Sequence, residues 1–172
     1  MQLVTSEHSP SHRIAKAPRR TPSWVQETIQ YMIDHFSDDI TLDELANSVG
    51  LSKFNFCRQF HRYKGIPPLK WVKRFRSVMA GELLKLPLTW TIEDVALSTG
   101  FRSSAHFSRS FKETFGCSPS QFRMGTEISG REGPFAVQAS MVGVSQAVVD
   151  SVAKYLTDDV RNASTIRPSA LD

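Results

Sequence analysis

Along most of the chain, apolar residues recur three and four positions apart, and polar residues fill the opposite positions. This spacing predicts amphipathic helices rather than strands. The first helix is expected to begin at about Ser23, where Ser23 and Gln26 have the spacing of a capping box. Val25, Ile29, Met32, Ile33 and Phe36 then form its apolar stripe, and the polar run Ser37-Asp38-Asp39 ends it. A longer stretch from Leu69 to Leu86 carries Trp71, Val72, Phe75, Val78, Met79, Leu83 and Leu84 at helical spacing, with Pro87 as its stop. At about 1.5 Å per residue it makes a strut of roughly 25 Å. Before Ser23, Pro10, Pro18 and Pro22 stand among Ser, His and Arg with little apolar periodicity, so residues 1–22 read as a flexible basic arm.

One element occurs twice. Thr41-Leu-Asp-Glu-Leu-Ala-Asn-Ser-Val-Gly50 lies over Thr91-Ile-Glu-Asp-Val-Ala-Leu-Ser-Thr-Gly100, sharing a Thr cap, two acids in the first turn, an Ala and a terminal Gly. After a slip of one residue, Phe56, Arg58, Phe60, Gly65 and Pro68 correspond to Phe107, Arg109, Phe111, Gly116 and Pro119. Each copy predicts a short helix, a turn at a left-handed glycine, and a second helix, at about 53–64 and 104–115, stopped by Gly65 with Pro67-Pro68 in the first and by Gly116 with Pro119 in the second. The fold class is therefore all-α: two helix-turn-helix units, about 41–64 and 91–115, joined by a linker helix of about 69–86. Residues 23–124 form this domain. Residues 125–172 form a C-terminal tail with an amphipathic helix at about 140–160, on which Met141, Val144, Val148, Val152, Tyr155 and Leu156 share a face.

Charge changes the picture by its distribution rather than its total. The formal net charge is only +4, yet it divides into +3 for residues 1–23, +3 for 24–124 and −2 for 125–172. From Glu27 to Glu44 there are six acids and no Lys or Arg, whereas from Lys53 to Arg76 there are eight bases and no acid. A single-signed stretch of that length points to a polyanionic partner. In the second helix of each unit, Phe56, Phe60 and Tyr63, or Phe107 and Phe111, are expected inside. The outer face is then Lys53, Phe54, Cys57, Arg58, His61 and Arg62 in the first, and Ser104, Ala105, Ser108, Arg109 and Lys112 in the second. Short residues let a helix sit deep in a groove, and an Arg can bond guanine O6 and N7. Base reading is therefore assigned to Phe54, Cys57, Arg58, Ser104, Ala105, Ser108 and Arg109. Phosphate contact is assigned to Lys53, Arg62, Lys64, Lys70, Lys73, Arg74 and Lys112.

Other chemistries find no support. There is no GxSxG, phosphate-binding loop or GxGxxG, and the acids lack paired-carboxylate spacing, so no enzyme and no cofactor are expected. Cys57 and Cys117 are far apart, which argues against a disulfide framework or a structural zinc site. His8 and His12 have the spacing of a helical metal pair, but Pro10 lies between them and no third ligand is near. No apolar run approaches the roughly 20 residues that span a bilayer, so a cytoplasmic, nucleoid-associated protein is expected.

The residues from about Trp24 to Arg123 resemble the DNA-binding domain of the AraC/XylS transcriptional regulators. The resemblance rests on Leu45-Ala46, Gly50-Leu51-Ser52, Phe56, Arg58, Phe60, Gly65, Pro68, Trp71, Arg76, Ala80 and Leu83-Leu84. It continues through Ala96, Gly100-Phe101, Phe107-Ser108-Arg109-Ser110-Phe111-Lys112, Gly116-Cys-Ser-Pro119 and Phe122-Arg123. It implies a homeodomain-like pair of helix-turn-helix units in which one monomer places both recognition helices in successive major-groove segments of double-stranded DNA. It also implies transcriptional control, more often activation through RNA polymerase than repression. Arg102 and Ser103 stand where that family usually has Ser and Asp, and His106 replaces a common Tyr. The 23-residue arm is too short for the effector-binding domain of many relatives, so direct sensing of a sugar or aromatic compound by such a domain is not expected. The C-terminal helix could pack on the domain or join a second copy. The rival reading is a protein-interaction module that modulates another regulator or RNA polymerase without reading DNA.

Overall fold

The computed structural model describes residues 21–85, 89–125 and 145–154, and all regular structure among them is helical. The elements are α1 (Ser23–Asp34), α2 (Leu42–Ser48), α3 (Lys53–Lys64), α4 (Pro68–Lys85), α5 (Ile92–Ser98), α6 (Ser104–Phe115) and α7 (Pro119–Arg123). A further helix, α8, spans 146–154. Helices α2 and α3 form the first helix-turn-helix unit, α5 and α6 the second, and α4 joins them.

Local chemistry explains the boundaries. At α2 the Thr41 hydroxyl accepts the Glu44 N–H at 3.2 Å and the Glu44 carboxylate accepts the Thr41 N–H at 2.9 Å. Thr91 and Asp94 repeat this box at α5, at 3.0 and 2.8 Å. Both short helices end at glycines of positive φ, Gly50 at 65° and Gly100 at 80°. The chain then folds back, with the Leu51 N–H bonded to Ala46 O and the Phe101 N–H to Ala96 O. The second helices are matched in length, register and ends: Ser52 caps α3 and Ser103 caps α6, and left-handed Gly65 and Gly116 close them.

The core runs along α4, which packs against α3, α5, α6 and α7. Trp71, Phe75, Val78 and Met79 are fully buried, and Trp71 and Phe75 stack at 5.5 Å between ring centroids. Each unit contributes a buried Phe pair, Phe56 with Phe60 and Phe107 with Phe111. Truncating any one of these to Ala is expected to cost about 3–5 kcal/mol. Where α4 crosses α6, the Ser77 and Ser110 hydroxyls meet at 3.1 Å, and Ser77 also donates to the Lys73 carbonyl at 3.0 Å. Small residues there let the two helices approach closely.

Four sequence expectations change. Ser23 is not a cap: it is already the first helical residue, Pro22 holds the extended position before it, and no side chain caps α1. Tyr63 is half-buried rather than core, its ring lying edge-on to Trp24 at 6.4 Å. Pro119 does more than stop α6, since it opens α7, which Ser118 and Gln121 cap as a box. In the tail, Val149 joins the domain core, with Val148, Val152 and Ala153 against it. The apolar face of α8 is therefore centred on Val149 and turned to its own domain. Met141, Val144, Tyr155 and Leu156, along with Pro87, His8 and His12, lie outside the described residues. No helix among the described residues is long and apolar enough to cross a membrane.

Candidate nucleic-acid interface

With the Phe pairs buried, the opposite faces of α3 and α6 point outward. On α3, Lys53, Phe54, Arg58, His61 and Arg62 are exposed, and Cys57 is half-buried against the core. Phe54 is 75% exposed, a position no folding argument explains. The Arg58 guanidinium lies over its ring at 5.8 Å and donates to the Asn55 side-chain carbonyl at 3.2 Å. Ring and amide together hold Arg58 outward in a limited set of rotamers. Lys53, the first residue of α3, reaches back to Asp43 on α2 at 2.8 Å in an exposed pair.

On α6, Ser104, Ala105, Arg109 and Lys112 are exposed, and Ser108 is half-buried. Arg58 and Arg109 occupy the same register position, six residues after their capping serines. Neither α3 nor α6 has an acid in its first turn, whereas α2 and α5 have two each. The positive ends of the two outward-facing helices thus carry no fixed negative charge of their own.

Lys70, Lys73, Arg74, His106 and Arg109 line a groove of about 500 Å³ between α4 and α6, with Ser110, Glu113 and Thr114 also on its walls. Lys73 and Arg74 are half-buried and Lys70 is exposed. Lys64, at the end of α3, is half-buried, and burial pushes its pKa down. Among the eight bases from Lys53 to Arg76, Arg76 is turned inward. It donates to the carbonyls of Phe36, Asp38 and Gly100 at 2.6, 2.6 and 2.7 Å, so it belongs to the scaffold and not to a charged surface. Asn55, which the sequence did not single out, and His106, noted there only as a departure from the family pattern, join the neighbourhood. Their signal was position, one residue before each buried Phe on matched helices. Both cysteines are free thiols, and burial raises the pKa of Cys117.

Comparison with known proteins places this arrangement. A helix-turn-helix domain family matches residues 45–125. The C-terminal domain of AraT, a response regulator from Geobacillus stearothermophilus, is 31% identical, with a TM-score of 0.57, covering 66% of this chain and 93% of that one. The chain belongs to the AraC family of regulators. Its domain is that of DNA-binding proteins and not of enzymes. The DNA-binding domain of AdpA, a global transcriptional factor solved in complex with a target DNA, is 26% identical with a TM-score of 0.55, covering 62% of this chain and 97% of that one. The HTH-type transcriptional activator RhaS of Escherichia fergusonii is 30% identical over 129 residues, which is 75% of this chain and 45% of that protein. The chain thus spans less than half the length of the curated relatives it matches.

Proposed function

We propose that this AraC-family chain is a sequence-specific transcriptional regulator that reads two successive major-groove segments of double-stranded DNA with α3 and α6. The observation that carries the reading is the matched pair itself. Two twelve-residue helices with the same caps each present an outward Arg at the same register position, and one continuous helix joins them. Base reading falls to Phe54, Cys57, Arg58, Ser104, Ala105, Ser108 and Arg109. The arginines suit guanine, and the Phe54 ring suits the methyl group of thymine. Lys53, Arg62, Lys64, Lys70, Lys73, Arg74 and Lys112 supply phosphate contacts, those of the α4–α6 groove facing the backbone between the two segments.

Activation is the favoured outcome, supported by the similarity to the activator RhaS, with RNA polymerase as the partner. One chain suffices for both segments. The apolar face of α8 is occupied by its own core, which favours binding as a monomer over pairing through that helix. Such a protein works at the nucleoid, in the cytoplasm.

Selection from a random duplex library with the purified protein, at fixed moderate salt, tests the reading. Two conserved blocks about ten base pairs apart are expected, one helical turn. Inserting half a turn between them should abolish specific binding. A folded protein that enriches no motif would instead support the interaction-module reading.

A further inference from the structure

Away from the outward faces, the loop that leads into the first unit meets the turn of the second. The loop after α1 carries Phe36 to Asp39, and the turn between α5 and α6 carries Gly100 to Ser103. Arg76, reaching out from the middle of α4, bonds carbonyls of both segments. Gly100 touches the loop so closely that a Cβ there would lie 2.8 Å from Ser37 O and 2.9 Å from Phe36 O. This inner layer is backbone against backbone, and the fold depends on it.

Outside it lies a second layer of a different kind. Arg102 forms an ion pair with Asp39 across the junction. Their side chains are 80% and 69% exposed, so the pair adds little to folding stability and is open to salt. Its leverage is geometric. Asp39 lies two residues before the Thr41 cap of α2, and Arg102 lies directly before the Ser103 cap of α6. The pair therefore bridges the segment that leads into one helix-turn-helix unit and the turn of the other.

We propose that the Asp39–Arg102 pair is a positioning latch that sets the relative placement of α3 and α6, and with it the half-site spacing that the protein accepts. The inference deepens the two-segment reading above and rests on it. Neither residue reads a base. The latch narrows the range of spacings, and it loosens as salt rises while the Arg76 layer stays closed.

The test compares the full chain with D39A, R102A and the charge-reversed double variant D39R/R102D, all at exposed positions; because Asp39 and Arg102 also act through charge on the half-buried Arg76, denaturant unfolding of each variant is measured alongside to show that the inner layer is kept. Binding is measured on duplexes whose two blocks are separated by the selected spacing and by one base pair more or less. Each single variant should lose about two- to threefold of the wild-type discrimination between spacings, the size an exposed pair can supply, and the double variant should recover most of it. If R102A weakens binding equally at all spacings and the reversed pair rescues nothing, Arg102 acts on DNA directly and the latch is overturned.

A second measurement needs no DNA, so it separates failure of the latch from failure of the DNA reading. Nitroxide labels are placed by R62C and E113C in a C57S/C117S background, and the distribution of distances between them is recorded. The distribution should broaden in D39A and R102A, narrow again in D39R/R102D, and broaden in the wild type as salt rises. Unchanged distributions would refute the latch, whatever the library selection shows. A latch intact by this measurement, in a protein that selects no two-block motif, would remove only the DNA reading.

Discussion

The two helix-turn-helix units share a frame and differ in what they present. In both, a Thr capping box opens the first helix, a buried Ala lets the helices approach, a positive-φ glycine makes the turn, and a Phe pair anchors the second helix. On the outer faces the likeness stops at one Arg. In the first unit Phe54 stacks with Arg58 and Asn55 holds it, whereas in the second Ala105 and His106 stand at those positions and Arg109 lines the groove beside α4. Their supports differ too. The first leans on α1 through Trp24 and Phe56, and the second on α7 through Phe122 against Phe111 and Phe115. The two copies thus share the residues that set backbone geometry and differ in the side chains they turn outward.

The glycines give the sharpest way to break the comparison. Gly50 and Gly100 occupy equivalent turns, but a Cβ on Gly50 meets nothing within 4 Å, whereas one on Gly100 meets the backbone of the α1–α2 loop. Gly50→Ala should cost about 1–2 kcal/mol from its left-handed conformation alone. Gly100→Ala should cost more than about 3 kcal/mol, because backbone cannot move aside as a side chain can. Denaturant unfolding of both variants measures the gap, and equal losses would show that the junction yields.

The next effect concerns the readers. Arg58→Ala and Arg109→Ala are each expected to cost about 1–3 kcal/mol of binding free energy and to relax preference at one position, in different blocks of the selected motif. A loss spread evenly over all sequences would reassign that Arg to a phosphate. Phe54→Ala should lower affinity for thymine-containing sites, and replacing that thymine by uracil should reproduce the loss in the wild type.

Smaller still are the caps. Thr41→Ala and Thr91→Ala should each cost about 1 kcal/mol. The second also carries a pH signature. Hydrogen bonds from the Thr91 side chain and backbone hold the Asp94 pKa below its ordinary value. A carboxylate with a depressed folded pKa adds stability above its unfolded pKa and loses it as pH falls through the folded value. Asp94→Asn should therefore flatten the acid limb of the stability profile, and an unchanged limb would assign acid sensitivity elsewhere. The smallest effect is expected at Lys53. Its exposed pair with Asp43 should contribute under about 0.5 kcal/mol, so Lys53→Ala should alter the salt dependence of DNA binding more than the melting temperature.

Much of the fold was legible because its punctuation is local. Ser52 and Gly65 bracket α3, and Ser103 and Gly116 bracket α6, through bonds that reach no more than four residues along the chain. The error at Ser23 has the same root. Its spacing to Gln26 was right, but Pro22 already supplied the extended residue before the helix, which put Ser23 inside it. Helix α7 was missed because Pro119 was read only as a stop, although Ser118 and Gln121 carried the cap signal. The outward residues of α3 and α6 followed from helical period alone.

What the sequence by itself determined is therefore the set of helices, their ends and the face each one buries, since caps, left-handed glycines and a 3.6-residue period act within a few residues. Only the tertiary structure decided that Arg76 binds carbonyls 24 to 40 residues away, that Arg102 meets Asp39, that Val149 enters the core, and that four Lys and Arg residues line one groove with His106. Those contacts depend on how rigid helices stack around α4. An Arg held by distant carbonyls and an Arg free in solvent have the same local sequence pattern, and packing alone tells them apart.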